Sequence, residues 1–213
     1  MITRYAAAVC AAVLVLTAMA LPAGAAGDTI ANARDATAIY TDPTAALASG
    51  YELLTDAAGL ACIDQPGAGA MGVHFVKGPL IQAGTLDAAR PQALVYEPEP
   101  SGRLRLVALE YVVFQAAWDA AHGGPPTLFG QQFMLTPAGN RFGLPAFYAL
   151  HAWVWKRNPT GTFAMWNPRV HCDAAPTIDA TDDRAASTPA DRPFARLLPI
   201  PADMAEHERP SAG

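Results

Sequence analysis

ALVYEPEPSGRLRLVALEYVVF, residues 93–114, has the pattern of two β-strands joined by a turn. Apolar runs at 93–97 and 103–114 flank PEPSG, whose proline, serine and glycine favour a turn. The pattern predicts an antiparallel hairpin. Because side chains alternate along a strand, one face of the second strand should carry Leu104, Leu106, Ala108, Glu110, Val112 and Phe114. The other face is nearly as apolar, so we expect this strand to be covered on both sides.

The segments around the hairpin predict an α+β fold, in which short N-terminal helices pack on a small antiparallel sheet. MGVHFV (71–76), bounded by glycines, is typical of a further strand. In YTDPTAALASGY (40–51), Asp42 can cap a short helix that Pro43 begins and Gly50 ends. Residues 30–40 are expected to form another short helix.

PAFYALHAWVWKR (145–157) is expected to form one helix in the second half of the domain. It has proline in the first turn, two basic residues in the last turn, and Asn158-Pro159 as a stop. As a strand, the segment would be apolar on both faces. Helical spacing would place five side chains on one face: Phe147, Tyr148, His151, Val154 and Trp155.

The two ends of the chain differ in composition from its middle. Residues 1–26 combine Arg4, an Ala-rich apolar run and small residues at a cleavage position, which predicts a secretory signal peptide. An uncleaved membrane anchor is the alternative. Residues 173–213 form an acidic tail rich in proline and alanine, which we expect to be disordered. One folded domain should therefore span residues 27–172.

The predicted signal makes this an exported protein, periplasmic or secreted, with no stable membrane insertion once the signal is removed. The net charge of −5 at pH 7 comes without a basic patch, which argues against nucleic acid as a partner. Within the tail, PFARLLPIP (Pro193–Pro201) is a candidate protein contact.

Removal of the signal leaves two cysteines, Cys62 and Cys172. In an oxidising compartment two such thiols most simply form a disulfide. Two free thiols and a thiolate metal site are the alternatives.

Three polar residues are embedded in apolar sequence: His74 in MGVHFV, Glu110 in LVALEYVVF, and His151 in YALHAWVW. A carboxylate on a buried strand face is costly unless it is paired, hydrogen-bonded or bound to a metal. Two histidines and one carboxylate form a sufficient ligand set for a divalent transition metal such as zinc, copper or manganese. Without a metal, the same three groups could be catalytic, with the carboxylate orienting a histidine as general base.

Each of these residues also has a structural explanation. Either histidine could be a hydrogen-bonded core residue, and Glu110 could form an ion pair with Arg141, Arg157 or Arg169. Nothing in their spacing shows that the three side chains meet in space.

A pocket around this polar site would have Tyr111, Tyr148 and Trp155 as its walls. Residues 119–143 are expected to form a long loop with a short strand at 128–135, which could serve as a lid. The leading hypothesis is thus a metal or small-molecule site under this loop. One alternative is a non-enzymatic module that binds an apolar ligand; another is a structural or interaction protein with a purely structural polar core network.

Several standard catalytic motifs are absent from the sequence. It has no phosphate-binding glycine loop, no HExxH and no G-x-S-x-G, and the cysteines are expected to be paired. These absences argue against a nucleotide-binding enzyme of the P-loop type and against a serine or cysteine hydrolase.

Four stretches, ALASGY, MGVHFV, LVYEP…LRLVALEYVVF and LHAWVWKRNPTGTFAMWNP, followed by Cys172, resemble a group of small exported bacterial proteins. They span most of the expected domain. The resemblance implies no activity and assigns no role to any residue.

Overall fold

The computed structural model describes residues 29–174. The predicted signal peptide at 1–26 and the contact segment Pro193–Pro201 lie outside the described residues, as does the predicted tail apart from its first two residues. Among residues 29–174, no helix is long and apolar enough to cross a membrane.

A seven-stranded antiparallel sheet dominates the described residues and confirms the α+β prediction. The strands, in chain order, are β1 (Glu52–Leu53), β2 (Cys62–Gln65), β3 (Gly69–Val76), β4 (Ala93–Pro98), β5 (Leu104–Phe114), β6 (Thr127–Leu128), β7 (Gln131–Gln132), β8 (Met134–Thr136) and β9 (Phe147–Ala152). The order across the sheet is β1-β3-β4-β5-β9-β8, with β2 also paired to β3. Strands β6 and β7 form a separate small hairpin.

The helices are short, and two of them, α1 and α2, begin with a side-chain cap. They are α1 (Ile30–Ala36), a 3₁₀ turn (Ala38–Thr41), α2 (Pro43–Ala48), α3 (Gly78–Ala83) and α4 (Gln115–Asp119). As predicted, Asp42 caps α2, accepting a hydrogen bond of 2.9 Å from the Thr44 amide. Ala33 of α1 and Ala46 of α2 are fully buried in a core cluster that also contains Leu109 and Tyr111 of β5. Helices α1 and α2 therefore cover one face of the sheet, and Ile81 of α3 packs on the other face with Ala93 and Val112.

The central hairpin, β4 and β5, forms as predicted, but a bulge changes which face its first residues occupy. Val95 is opposite Ala108 and Tyr96 is opposite Leu106, so β5 has one extra residue at this point. Leu106 consequently packs in the same core cluster as Leu109 and Tyr111. The prediction that Leu104 and Leu106 share the face of Glu110 is wrong, because the bulge interrupts the two-residue alternation.

The predicted helix at 145–157 is also wrong, because residues Phe147–Ala152 form strand β9. Strand β9 pairs with β5 on one side and with β8 on the other, and all six of its residues are buried. A central strand buried on both faces reads as a continuous apolar run, which periodicity cannot distinguish from a buried helix. The proline before it and the Lys-Arg-Asn-Pro after it are flanks of the strand and of the turn that follows.

The chain returns after β9 and is held by the predicted disulfide, which joins Cys62 of β2 to Cys172. The return segment also pairs with the edge of the sheet, since the Ala70 and Asn167 backbones exchange two hydrogen bonds of 3.2 and 3.1 Å. The end of the return segment, residues 167–172, is therefore fastened to β2 and β3.

Strand β3 requires glycine at position 72. Gly72 has φ +113°, and a Cβ placed there would lie 2.4 Å from the Tyr96 carbonyl oxygen on β4. We expect Gly72→Ala to lower the free energy of unfolding by at least about 2 kcal/mol, because it combines a strained φ with a clash against backbone. Urea denaturation measures this loss.

Gly123→Ala is the matched control, because a Cβ at Gly123 meets no atom within 4 Å. It should change stability by less than about 0.5 kcal/mol. Equal stability of the two variants would contradict the close approach of β3 and β4 at this point.

Candidate metal centre

Three strands of the sheet bring His74, Glu110 and His151 together on the face opposite α1 and α2. Glu110 of β5 is directly opposite His151 of β9 on one side and Ala93 of β4 on the other. His74 of β3 pairs with Val95, two residues along β4 from Ala93. Because Ala93 has only a methyl group as its side chain, it leaves space for His74 and Glu110 to approach across β4.

The three side chains are close enough to share one ion. Nε2 of His74 lies 3.5 Å from Oε2 of Glu110, and Nε2 of His151 lies 3.7 Å from Oε1. One ligand atom from each residue can be chosen so that all three lie within 4.8 Å of one another. The residues that the sequence singled out individually thus form one cluster, the His/Glu/His site.

The polar atoms of the His/Glu/His site are buried without full hydrogen bonding. His74 is 2% exposed and His151 4%, and the Glu110 side chain is 12% exposed. The two distances to Glu110 exceed those of normal N–H···O hydrogen bonds. Nε2 of His151 has no hydrogen-bond partner, and Nδ1 of His74 has none beyond a weak interaction with the Gly72 backbone. Buried polar groups normally have partners, so this arrangement calls for an explanation other than structural pairing.

Burial shifts the pKa values of all three groups toward their uncharged forms. Desolvation lowers the pKa of His74 to about 4, against the opposing attraction of Glu110. Desolvation alone lowers the pKa of His151 to about 4. It also raises the pKa of Glu110, and the nearby His74 only partly opposes this shift. At neutral pH both imidazoles are therefore neutral, which is the form that binds metals.

The donor set fits a transition metal. A tetrahedral ion with bonds of about 2.1 Å separates its ligands by about 3.4 Å, close to the two observed histidine–glutamate distances. The ligand atoms that now lie up to 4.8 Å apart would need to draw together by about 1.4 Å, which side-chain rotation can supply. Three protein ligands leave at least one coordination position for water or a small molecule.

The His/Glu/His site opens into a cavity of about 440 Å³, and its three residues form part of the cavity lining. This volume is within the usual range for small-molecule sites. Much of the opposite wall comes from the segment between α4 and β9, which contributes Gln131, Gln132, Met134, Thr136, Asn140, Arg141 and Phe142. The segment expected to be a loop, residues 119–143, contains the last residue of α4 and the strands β6, β7 and β8. Residues between 131 and 142 of this segment line the cavity.

The aromatic residues expected as pocket walls lie elsewhere. Tyr111, Tyr148 and Trp155 are not among the residues that line the cavity. The Tyr111 hydroxyl donates to the Ala88 carbonyl, and the Tyr148 hydroxyl donates to Asp119. Trp155 donates its indole N–H to Thr37, at the end of α1. These contacts lie on the side of the sheet that α1 and α2 cover. Along strand β9, Tyr148 and Leu150 are on that face, and Phe147, Ala149 and His151 are on the other. Tyr148 would share a face with His151 only in a helix.

The actual aromatic walls are Phe142, Phe147, Phe163 and Trp166. Of these, Phe147 is on the same face of β9 as His151, because their positions along the strand differ by an even number of residues. The other three come from loops, and no local sequence pattern indicated that they would reach the site.

An ion pair holds the loop over the cavity. Arg141 donates to Asp56 at 2.8 Å, and the Ala57 amide donates to the Arg141 carbonyl at 2.8 Å. Burial works to raise the pKa of Asp56, but hydrogen bonds from Arg141 and two amides outweigh it and lower the pKa. Arg141 therefore pairs with Asp56 and not with Glu110, and the described titratable groups that face Glu110 are the two histidines.

The other described histidines are not part of the site. His122 is exposed and stacks on Trp118 with 3.7 Å between ring centroids. His171 is exposed next to the disulfide. These two histidines provide internal controls for experiments on the buried pair.

No family model, curated protein or solved structure matches the chain. The functional argument therefore rests on the site itself.

Proposed function

We propose that this protein binds one divalent transition metal at His74, Glu110 and His151, and that the open coordination positions of the metal accept a small ligand in the cavity. The observation that carries the proposal is that Nε2 of the buried His74 and Nε2 of the buried His151 lie on either side of the Glu110 carboxylate, at 3.5 and 3.7 Å from its two oxygens, with no normal hydrogen bond joining them. A metal at this point would bind both Nε2 atoms and the carboxylate together, and it would supply the partner that Nε2 of His151 lacks.

The electrostatics of the site support the same function. Two neutral imidazoles do not have to release protons when a metal binds at neutral pH. A doubly charged ion also favours the ionised form of Glu110. Without the ion, burial disfavours this charged form and raises the pKa of the carboxyl group. The cost of burying this carboxylate in the metal-free protein is thereby offset when the ion is present.

The cavity suits a small ligand that combines polar and apolar groups. The amides of Gln131, Gln132 and Asn140 offer donors and acceptors, and the aromatic walls offer apolar surface. The protein would perform this function outside the cytoplasm, a location with which the Cys62–Cys172 disulfide is compatible.

Metal titration of the mature, untagged protein tests the proposal. After removal of metals, Co²⁺ should bind with one-to-one stoichiometry and give the visible absorption of a site with nitrogen and oxygen ligands. His151→Gln should weaken this binding by more than about 100-fold, since it removes a direct ligand. Elemental analysis of protein purified without chelator provides the second measurement.

His122→Gln is the matched control, because it makes the same substitution at an exposed histidine. It should leave the affinity for Co²⁺ unchanged. Equal weakening in both variants, or no stoichiometric metal in the wild-type protein after exposure to zinc, copper and manganese, would count against the proposal.

A further inference from the structure

The methionines of the described residues are gathered at the cavity. Residues 29–174 contain Met71, Met134 and Met165, and all three line the cavity that holds the His/Glu/His site. They come from three separate elements: β3, the edge strand β8 and the return segment after β9. The three methionines are far apart in the sequence, so the tertiary fold is what brings them to one cavity.

Core packing does not account for all three side chains. Methionine commonly fills gaps in a core, and Met71, 8% exposed, is compatible with that use. Met134, however, is 45% exposed on an edge strand, and Met165 is half-buried. A flexible apolar side chain that is exposed at a cavity mouth contributes little to the core, which suggests a role for its thioether.

The chemistry of the combined donor set selects among the metals that the site could hold. Thioether sulfur is a soft ligand that favours Cu(I), whereas manganese favours hard oxygen ligands. Imidazole suits zinc and both oxidation states of copper, and among divalent ions nitrogen sites bind Cu²⁺ more tightly than Zn²⁺. Copper is the metal for which every class of donor at this cavity has a use.

Building on the proposed function, we propose that the metal is copper and that methionine thioethers of the cavity join the His/Glu/His site in holding Cu(I). The histidines serve both oxidation states, Glu110 favours the divalent ion, and the methionines favour the monovalent one. Soft ligands in the cavity thus distinguish this site from a histidine–carboxylate site for zinc or manganese.

The test compares two metals in one set of variants. Met71→Leu, Met134→Leu and Met165→Leu are combined in one protein, because leucine preserves the volume and apolar character of methionine. The Cu(I) affinity is measured by competition with bicinchoninate under reducing, oxygen-free conditions, and the Co²⁺ affinity by absorbance. We expect the triple variant to lose at least about tenfold in Cu(I) affinity and to keep its Co²⁺ affinity within about threefold.

X-ray absorption at the copper edge gives an independent readout. Wild-type protein loaded with Cu(I) should show sulfur as well as nitrogen scatterers in the first coordination shell, and the triple variant should lose the sulfur contribution. Should the triple variant fail to fold, Met134→Leu alone repeats the comparison at the most exposed of the three positions.

The outcomes separate the two proposals. If Co²⁺ binds but the triple variant keeps its Cu(I) affinity and no sulfur scatterer is seen, the copper inference is overturned while the proposed metal site stands. If neither ion binds to the wild-type protein, both proposals are overturned. A selective loss of Cu(I) affinity supports both.

Discussion

Replacing Cys62 and Cys172 together by alanine should lower the free energy of unfolding by about 4–5 kcal/mol, the largest stability change that we expect from any pair of substitutions in this protein. The two cysteines are 110 residues apart in sequence. A disulfide that closes so long a loop restricts the unfolded chain strongly, and its removal restores that freedom. The loss is large because a domain of this size has a total stability of only about 5–15 kcal/mol.

The disulfide should matter locally as well as globally. It fastens the segment after β9, and this segment supplies Phe163, Met165 and Trp166 to the cavity wall. Without the disulfide, the segment loses its covalent link to the sheet and is held by weaker non-covalent contacts, among them the hydrogen bonds between Ala70 and Asn167. We therefore expect the affinity for a metal to fall in the double variant, even though neither cysteine is a ligand.

Urea denaturation of the double variant, next to wild-type protein with and without a reductant, measures the effect. Reduced wild-type protein should unfold at nearly the same urea concentration as the variant, since both lack the covalent link. A difference of less than about 1 kcal/mol between oxidised wild type and variant would mean that the unfolded chain is already compact, in contrast to the loop-entropy argument.

The sequence was sufficient to predict the hairpin, the short N-terminal helices and the disulfide, and to single out the three residues that form the buried polar cluster, because each depends on local chemistry. Turn residues end the strands of the hairpin, Asp42 and Pro43 begin a helix, and Glu110 is conspicuous in an apolar strand. These signals need no knowledge of distant contacts.

The register of the sheet could not be predicted in this way. The convergence of the site depends on Glu110 being opposite His151, and this pairing requires that residues 147–152 form a strand. Strands β5 and β8 flank this segment, and core clusters pack on both of its faces, which the segment itself does not encode. Reading the segment as a helix also placed Tyr148 and Trp155 with His151, so the expected pocket walls were wrong for the same reason.

Loop residues were the hardest to anticipate. Met134, Met165 and Trp166 reach the cavity only because the chain folds back over the sheet on both sides of β9. Side chains in such segments follow no period, so tertiary structure alone reveals that they share a site.

Glu110→Gln should have two effects of opposite sign, and their combination distinguishes a functional from a structural carboxylate. In metal-free protein at pH 7, we expect the variant to be more stable than wild type by about 1–2 kcal/mol. Burial raises the pKa of Glu110, so the folded state holds this carboxyl in an environment unfavourable to its charge. A neutral amide of nearly the same shape removes that cost.

The same substitution should weaken metal binding by more than about 100-fold, since an amide oxygen is a much poorer ligand than a carboxylate for a transition metal. Stability and binding would then change in opposite directions. Titration with Co²⁺ and urea denaturation of metal-free protein, performed on the same preparation, measure the two effects.

The pH dependence of the stability difference gives a further check. A carboxyl whose pKa is raised in the folded state stabilises the fold below its unfolded pKa, near 4.5, and this contribution is lost as the pH rises through the folded pKa. The advantage of Glu110→Gln should therefore be small near pH 4 and grow toward neutral pH. A constant difference at all pH values would point to a change in packing.

Glu97→Gln is the matched control, because Glu97 is a second buried glutamate in the same hairpin. Its carboxylate forms ion pairs with Arg105 and Lys156, the latter at 2.7 Å. Neutralising it leaves Lys156 without a carboxylate partner and Arg105 with Glu99 alone, so we expect a loss of about 1–3 kcal/mol and no change in metal affinity. If Glu110→Gln instead destabilised the metal-free protein as Glu97→Gln does, the His/Glu/His site would be a structural network, and its open, unpartnered nitrogen atoms would need another explanation.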